Sequence, residues 1–499
     1  MIYDLLIVGG GVNGCAIARD AAGRGLRVLL VEQTDLAAAT SSASTKLIHG
    51  GLRYLEQFEF RLVHEALAER ELLLAAAPHI IRPLQFILPH ERSVRPAWLV
   101  RLGLFLYDHL ARRQRIPGSS TAPLAGSAYG APLERAYRLG FSYYDCRVDD
   151  SRLVVLEAID ARERGAELRI GAKLVGARRD GDAWLASVAG PDGRVESVGA
   201  RALVNASGPW VSETLTQRLD LRSSKHVRLV KGSHIVTRRL YEGEHAYILQ
   251  RPDRRIVFVI PFEEDFTLIG ATDAPFFGAP GPVAIDADEI DYLVAGVDHV
   301  FREKIGRGDI VWSYSGLRPL FDDGALEASV VTRDYAFDLA REEGAPALSV
   351  FGGKITTARR LAEHALDALA PFFPRLGPAW TARATLPGGD LGPGGFDDFL
   401  REAMRAKPFL DPRLARRLAH AYGTRLWRFL ETARSMEDLG ADFGCGLTEA
   451  ELAYLRDEEW ARSAEDVLWR RSKLGLRLDV RQQARLARAF TPPAAGDSG

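Results

Sequence analysis

Residues 3–33, YDLLIVGGGVNGCAIARDAAGRGLRVLLVEQ, carry a complete strand–helix–strand pattern at the start of the chain. Residues 2–8 are a short, apolar, β-branched run, which is typical of a buried parallel strand. The spacing G-x-G-x-x-G follows, with its glycines at Gly9, Gly11 and Gly14. A second apolar run, RVLLV, ends at Glu32, at the offset where a carboxylate accepts hydrogen bonds from a ribose. This order predicts a dinucleotide-binding βαβ unit.

Each glycine of this unit has its own task. Gly9 permits a tight turn, Gly11 lets a pyrophosphate approach the backbone, and Gly14 lets the helix pack closely on the strand. The helix directs its free N–H groups and its positive dipole end at the phosphate. Because FAD and NAD both present an ADP half, this unit does not distinguish between them.

The stretch TSSASTKLIHGGLRYLE, residues 40–56, does distinguish between them. Its hydroxyl and small side chains suit a segment that lies against a polar, extended ligand, and its glycine pair leaves room for a flat ring. FAD needs such a second binding segment soon after the second strand, whereas NAD enzymes of this fold do not. The alternative is a serine-rich loop that caps a helix over residues 58–74. The arginine and tyrosine that follow immediately, Arg53 and Tyr54, favour FAD.

The composition is that of an ordinary globular protein, with 499 residues, 47% hydrophobic and 26% charged. This length predicts two or three domains. The net charge of -1 predicts no general attraction to nucleic acid, so any contact with an anionic surface needs a local patch. The cysteines are far apart and lack a CxxC spacing, so we expect no metal site. No secretion signal and no apolar run of about 18 residues is present, which predicts a cytoplasmic protein.

The remaining patterns predict a mixed α/β protein of three domains. Residues 226–335 carry strands separated by short polar turns, which indicates an antiparallel sheet that covers the substrate. Beyond a Pro/Gly-rich stretch, residues 396–491 carry almost only helical patterns. We assign an FAD-binding, Rossmann-like domain to residues 1–75, 146–220 and 336–386, a substrate-binding domain to 76–145 and 221–335, a linker to 387–395, and an all-α C-terminal domain to 396–499.

Eight stretches occur in the order GGGVNGCAIARDAAGRGL, ATSSASTKLIHGGLRYLE, VNASGPW, KGSHIV, GATD, SGLRPL, FGGKITTAR and SAEDVLWRRSKLGL. With them the chain resembles the FAD-dependent glycerol-3-phosphate dehydrogenases of the aerobic, membrane-associated kind over essentially its whole length. The resemblance implies that sn-glycerol 3-phosphate is oxidised to dihydroxyacetone phosphate, with electrons passing through FAD to a membrane quinone. It also implies peripheral attachment to the cytoplasmic membrane and a homodimer.

The glycine turn and the other stretches together predict the cofactor contacts. These are Gly9, Gly11, Asn13, Gly14, Glu32, Thr40, Ser41, Ser42, Lys46, Leu47, His49, Gly51, Ser207, Gly208, Gly353, Lys354, Ile355 and Thr356. Reduced flavin is anionic around N1 and O2, so a positive neighbour there favours the reaction. Lys354, with the positive end of a helix that begins near Thr356, is expected to supply that charge. The alternative is a glycine-ended strand with a surface lysine.

Arginines are expected to hold the substrate, because a guanidinium binds phosphate through paired N–H donors. The candidates are Arg53, Arg318 and Arg333, with Tyr54 as a hydrogen-bond partner and with Thr272 and Asp273 in the same pocket. A surface ion pair is the commoner fate of any single arginine. Arg53 and Arg318 follow segments expected at the flavin, whereas Arg333 rests on its family position. The division of phosphate and reacting oxygen among them stays open.

His234, in KGSHIV, is the candidate proton acceptor, because histidine titrates near neutral pH. A lone histidine in a strand is more often structural, and only the resemblance selects this one. Arg318 and Lys354 complete the expected catalytic set.

Residues 97–110 form an apolar helical pattern beside several arginines, Arg95, Arg101, Arg112, Arg113 and Arg115. Two readings fit it equally. One is an interfacial membrane helix that uses Trp98, Leu104, Phe105 and Tyr107, and the other is a buried helix with snorkelling arginines.

Three rival functions remain. An oxidase of the same substrate would pass electrons to oxygen and could carry the same residues around the flavin. An amine or amino-acid oxidase of related fold would hold a carboxylate with one arginine, which the three arginines and the lysine disfavour. A flavin-binding scaffold or sensor would bind FAD without oxidising the substrate.

Overall fold

The computed structural model describes residues 2–91, 96–251, 253, 255–322, 334–341 and 344–491, and it describes only the backbone of Arg53 and Gln57. The strands are β1 Ile2–Val8, β2 Val28–Glu32, β3 Leu47–Ile48, β4 Ile81–Pro89, β5 Ser120–Pro123, β6 Leu139–Val148, β7 Glu167–Ile170, β8 Lys173–Asp180, β9 Ala183–Ala189, β10 Val195–Asn205, β11 Val227–Arg238, β12 Ala246–Gln250, β13 Ile256–Phe262, β14 Phe266–Gly270, β15 Ala274–Phe276, β16 Ile310–Phe321, β17 Tyr335–Ala340 and β18 Ala347–Gly352.

The α-helices are α1 Val12–Gly23, α2 Phe60–Ala76, α3 Ala97–His109, α4 Asp150–Glu163, α5 Val211–Glu213, α6 Ala287–Val300, α7 Ala358–Leu369, α8 Gly395–Ala406, α9 Pro412–Tyr422, α10 Trp427–Leu430, α11 Glu449–Asp457 and α12 Val480–Ala489. Short 3₁₀ and π turns connect several of them, including a π-helical turn over Asp466–Arg471.

The first sheet is the one that the N-terminal pattern predicts. Its strands run in the order β17-β18-β10-β1-β2-β7, and β1 is parallel to both β2 and β10. Helices α1, α4 and α7 pack on one face. The hairpin of β8 and β9 covers the other face, with Trp184 at its centre. Because both faces are buried, β1 and β2 consist of almost continuous apolar residues.

The second sheet follows the order β15-β11-β14-β13-β12-β4-β6-β3, with β16 paired to β11 and β5 paired to β6. Its pairings are antiparallel except for β4 with β12. Helix α6 packs on one face, and α2 and α3 pack on the other. The prediction of an antiparallel sheet in the second half of the chain is confirmed by β11, β13, β14 and β16.

The C-terminal helices α8 to α12 enclose a separate hydrophobic core around Leu418, Tyr422 and Leu455. The predicted fold class is therefore confirmed, with a parallel dinucleotide-type sheet, an antiparallel sheet and a helical C-terminal part. The strand β3 departs from the predicted division of the chain. β3 lies within residues 1–75 but pairs with β6 of the second sheet, because the chain passes from one sheet to the other here. The domain bounds stay a prediction.

Candidate active site

A cavity of about 1090 Å³ lies at the carboxyl ends of β1, β2 and β18, where the first sheet meets the second. Ligands of open α/β sheets bind at this edge, and the volume suits an extended ligand. Many predicted cofactor residues form its wall: Gly9, Gly11, Asn13, Glu32, Thr40, Ser41, Ser42, Leu47, His49, Gly51, Ser207, Gly208, Gly353, Lys354, Ile355 and Thr356.

The glycine turn brings the start of α1 against β1. A Cβ atom on Gly14 would lie 1.9 Å from the carbonyl oxygen of Gly9, so a larger residue would displace the backbone. Gly14 is outside the cavity wall, and its contribution is this close packing. Gly11 caps α1, and the N–H of Val12 donates to Ser41 Oγ at 3.0 Å. The positive end of α1 thus meets a row of hydroxyls, which fits the pyrophosphate of a dinucleotide.

Glu32 ends β2 in the wall of the cavity. Its carboxylate accepts hydrogen bonds from the N–H of Gly10 at 2.7 Å and from the N–H of Thr34 at 2.8 Å. Burial raises the pKa of Glu32, although these donors favour the charged form. The carboxylate lies beside the glycine turn, where a ribose of the ligand would be held.

The segment between β2 and β3, residues 35–46, forms one side of the cavity, and we call it the cofactor loop. Its hydroxyls brace the loop as well as face the cavity. Thr40 Oγ1 donates to the carbonyl oxygen of Leu317 at 2.6 Å, and Ser42 Oγ donates to that of Ala39 at 3.3 Å. The small and hydroxyl side chains of this stretch therefore serve the fold of the loop and the ligand together.

Lys46, which was expected to contact the cofactor, is outside the cavity wall. Its Nζ lies 2.9 Å from both carboxylate oxygens of Asp150 and is buried. Burial lowers the pKa of Lys46, and the ion pair with Asp150 opposes that shift. The side chain fixes the end of the cofactor loop to the start of α4, so we assign it a structural contact instead of a cofactor contact.

Lys354 lies after β18, on another side of the cavity. Its Nζ is 4.0 Å from the centre of the Tyr54 ring, a favourable cation–π distance. The 3₁₀ turn Ile355–Thr357 follows and leads into α7. Asn13 Nδ2 donates to the carbonyl oxygen of Gly352 at 3.2 Å, which ties the first glycine turn to this one. A cation and a helix start therefore point to the part of the cavity where the flavin ring is expected.

His49 is a half-buried residue in the wall. Burial, and after it the charges of Lys354 and Arg70, lowers the pKa of His49 to about 3. The ring is therefore neutral near pH 7 and presents one donor and one acceptor. The backbone N–H of His49 donates to Thr356 Oγ1 at 3.2 Å, which joins this stretch to the turn after β18.

Arg318 lies on β16, and its side chain contributes to the wall. Nη1 donates to the carbonyl oxygen of Thr272 at 3.2 Å and to the carboxylate of Asp273. A Cβ atom on Gly232, in the neighbouring strand β11, would lie 2.2 Å from the guanidinium, so the glycine of KGSH makes room for it. Thr272 is outside the wall, and its Oγ1 donates to Glu289 at 2.7 Å.

His234 lies on β11 and is fully buried. It is not part of the cavity wall, from which one intervening side chain separates it. Its Nε2 is 3.0 Å from Thr45 Oγ1, and Thr45 is part of the cavity wall. The imidazole stacks on Tyr314 with ring centres 4.7 Å apart. Burial, and then the charge of Arg318, holds the pKa of His234 well below its usual value of 6.5. The ring is therefore neutral near pH 7 and meets the cavity through a threonine hydroxyl.

Of the predicted substrate ligands, Arg333 lies outside the described residues, and of Arg53 only the backbone is described. Tyr54 and Asp273 line the cavity, as does Arg318.

Three side chains of the C-terminal domain also line the cavity, and no sequence pattern assigned them there: Glu465, Trp469 and Arg470. Trp469 stacks on Trp312 of β16, with ring centres 4.4 Å apart. These residues belong to the SAEDVLWRRSKLGL stretch, which is part of the family resemblance. The motif identifies this stretch as characteristic of the family. Which residues the stretch contacts depends on how the domains pack together.

Helix α3 contacts the glycine pair Gly50-Gly51, and no sequence pattern predicted this contact. The N–H of Gly50 donates to Tyr107 Oη at 2.8 Å, and this hydroxyl donates to Asp145 at 2.8 Å. Arg70 Nη1 donates to the same carboxylate at 2.7 Å. All three side chains are buried, and they come from three separate parts of the chain. Tyr107 therefore links α3 directly to the backbone of the cavity.

Two family descriptions match the chain. Residues 4–359 match the family described as FAD dependent oxidoreductase. Residues 379–491 match the family described as the C-terminal domain of alpha-glycerophosphate oxidase. The first match spans both sheets and the whole cavity wall except the C-terminal residues.

Individual proteins are similar over almost the full length. A glycerol-3-phosphate dehydrogenase of Pseudomonas aeruginosa is 53% identical, covering 97% of this chain and 94% of that protein. A D-erythritol 1-phosphate dehydrogenase of Brucella abortus is 48% identical, covering 98% and 97%. The solved structure of the glycerol-3-phosphate dehydrogenase from Bacillus halodurans complexed with FAD has a TM-score of 0.75 at 25% identity, covering 98% and 94%. The resemblance read from the motifs is confirmed.

Proposed function

The chain belongs to the FAD dependent oxidoreductase family, and from that premise we propose that it oxidises sn-glycerol 3-phosphate to dihydroxyacetone phosphate. The observation that carries the proposal is one cavity in which the glycine turn of the family meets the cations Arg318 and Lys354. The full-length similarity to glycerol-3-phosphate dehydrogenases supplies the substrate. When bound, FAD supplies the acceptor for the hydride that leaves the substrate carbon.

The cationic side chains suit an anionic alcohol. Arg318 has its guanidinium oriented by Asp273, so its positive charge needs little reorganisation when the substrate enters. Lys354 adds positive charge on another side of the cavity. Arg53 and Arg333 are proposed as further phosphate ligands, and Tyr54, beside Lys354, as a hydrogen-bond partner.

We propose that His234 accepts the proton of the substrate hydroxyl and that the hydroxyl of Thr45 relays it. Thr45 Oγ1 lies in the wall and 3.0 Å from His234 Nε2. A hydroxyl both donates and accepts, so it can take a proton from the substrate while passing its own to the imidazole. The neutral state of His234 leaves Nε2 able to accept it.

Substrate addition without oxygen tests the activity. We expect sn-glycerol 3-phosphate to bleach the visible flavin absorbance of the holoprotein within seconds to minutes, and glycerol or an amino acid to leave it unchanged. D-Erythritol 1-phosphate belongs in the same panel, because a relative carries its name. If the four-carbon phosphate reduces the flavin faster, the substrate is that ester. If no polyol phosphate or amino acid bleaches it, the flavin-binding scaffold is the better account.

A membrane quinone is the proposed electron acceptor, and helix α3 supports it. Among the described residues of α3 only Leu104 and Tyr107 are buried. Trp98 is 68% exposed and Phe105 is 52% exposed, and Leu99, Leu102 and Leu106 are exposed beside them. This corrects the expectation that Leu104 and Tyr107 face the lipid, and it favours the interfacial helix over a buried one. No helix of the described residues is long and apolar enough to cross a membrane.

Replacing Trp98 and Phe105 together by glutamine is expected to weaken binding to anionic phospholipid vesicles by about tenfold or more, since each aromatic contributes about 1.5–3 kcal/mol when buried. Vesicle flotation at low salt measures the bound fraction. Phe277→Gln is the matched control, because Phe277 is 96% exposed on a different part of the surface. Equal loss in both variants, or no binding by the unchanged protein, would contradict docking through α3.

The electron acceptor and the oligomeric state need their own measurements. Quinone reduction should exceed peroxide formation when a soluble quinone and oxygen compete, and the reverse result identifies the oxidase alternative. The homodimer is a proposal from the family resemblance, and light scattering of the purified protein would report its mass.

A further inference from the structure

The cofactor loop is fixed at its first residue by the C-terminal domain. Asp35 is buried, and its carboxylate accepts paired hydrogen bonds from Arg471 at 2.7 and 2.8 Å and one from Arg470 at 2.6 Å. Burial opposes the charge of Asp35, but the two guanidinium groups hold its pKa below the usual value. Arg471 is fully buried and also donates to the carbonyl oxygen of Glu459 at 2.6 Å. Three residues before Asp35 stands Glu32, in the cavity wall.

The last residue of the cofactor loop is fixed through the start of α4. Lys46 pairs with Asp150, and the neighbouring Asp149 accepts from Lys473 Nζ at 3.3 Å. Lys473 also donates to Ser151 Oγ at 3.2 Å and is buried. The C-terminal domain therefore contacts the first residue of the loop directly and the last one through the start of α4, with side chains only a few residues apart in sequence.

The same segment of the C-terminal domain also contributes to the cavity wall. Trp469 stacks on Trp312 of β16, and Arg470 lines the cavity. The strand β16 in turn accepts a hydrogen bond from Thr40, near the middle of the loop, through the carbonyl oxygen of Leu317. We call residues 469–473 the C-terminal clamp.

We propose that the C-terminal clamp is part of the cofactor site and that it holds the cofactor loop in the shape that retains FAD. The loop forms a side of the cavity but is not part of either sheet, so its ends decide where that side lies. Fixing both ends before the ligand enters lowers the ordering cost of binding. Arg471 and Lys473 are positioning residues, since they act through Asp35 and Asp149, whereas Trp469 and Arg470 also line the cavity. The proposal rests on the proposed function only for the identity of the cofactor.

The experiment measures release of FAD from the holoprotein. We expect Lys473→Met, which leaves the cavity wall unchanged, to raise the dissociation constant of FAD by about tenfold, the size of effect that loss of a supporting contact has at metal sites. Arg471 remains in this variant, so Asp35 keeps a partner and the fold is preserved. Flavin fluorescence after dilution reports the free cofactor, and circular dichroism of the apoprotein reports the fold.

Arg425→Met is the matched control. Arg425 joins the C-terminal domain to Glu163 of α4 at 2.6 Å with similar burial, but it does not contact the cofactor loop. We expect its FAD affinity to stay within about twofold. Lys473→Arg should retain FAD, because it keeps the charge. Equal FAD loss in the control, or unchanged affinity in Lys473→Met, overturns the proposal. Because the readout is FAD binding, it does not depend on which substrate is oxidised.

Discussion

Replacing Arg318 by methionine is expected to lower kcat/KM for sn-glycerol 3-phosphate by about a thousandfold. The guanidinium lines the cavity and is oriented by Thr272 and Asp273, so its positive charge is in place before the substrate arrives. Methionine keeps the apolar length of the side chain and removes the charge and every N–H donor. Steady-state kinetics of the purified holoprotein measures the effect.

The kinetic pattern also assigns the role of this arginine. A loss mainly in KM would mean that Arg318 holds the phosphate in the ground state, and a loss mainly in kcat would mean that it acts on the reacting oxygen. Arg318→Lys should recover only part of the rate, because an ammonium lacks the paired donors. Arg228→Met is the control on the neighbouring strand, since Arg228 pairs with Asp322 at 2.9 Å and is outside the wall. An Arg318→Met enzyme with near-normal kcat/KM would remove this residue from the site.

Replacing His234 by glutamine is expected to lower kcat by about 10²- to 10³-fold and to leave FAD content unchanged. The imidazole is outside the wall of the cavity, so cofactor contacts do not depend on it. Its Nε2 faces Thr45, through which it meets the substrate side. Glutamine fills a similar volume and hydrogen-bonds, but it does not accept a proton near neutral pH. Single-turnover flavin reduction measures the chemical step.

Thr45→Val tests whether the proton travels through the hydroxyl. Valine keeps the shape of threonine and removes Oγ1, the atom 3.0 Å from His234 Nε2. We expect a loss comparable to that of His234→Gln, and the double variant should lose little more, because both changes interrupt one path. Full activity in Thr45→Val would mean that the proton takes another route. Normal turnover in His234→Gln would remove the histidine from the mechanism.

His234 also determines the pH dependence that we expect of kcat and of stability. Burial, with the charge of Arg318 in addition, holds the pKa of His234 below 6.5, and only the neutral ring accepts a proton. The acid limb of kcat set by His234 should therefore lie below pH 6.5. The native protein binds fewer protons here than the unfolded chain, so stability should also fall as the pH drops below 6.5. A His234→Gln variant should lack that part of the pH dependence in denaturant unfolding.

Local patterns were sufficient for the parts of the protein that depend on neighbours in the sequence. The strand of residues 2–8, the glycine turn and the carboxylate at Glu32 all lie within one βαβ unit, and the structure has them as β1, the start of α1 and the end of β2. The hydroxyl side chains after β2 are also neighbours in the sequence, so their pattern predicts a ligand-binding segment. The position of Lys46 does not follow from such a pattern, because its sequence neighbours line the cavity while its own ammonium group is paired with Asp150.

The fold class, the dinucleotide turn and the choice of cofactor could be predicted from the amino-acid sequence, because each is marked by residues at short spacings along the chain. The packing of the folded chain was needed to show that His234 meets the cavity through Thr45, that α3 exposes Trp98 and Phe105, and that Arg471 of the C-terminal domain pairs with Asp35 of the cofactor loop. Those contacts join residues that are far apart in the chain. Their formation depends on how the two sheets and the helices pack together, and no local spacing encodes that packing.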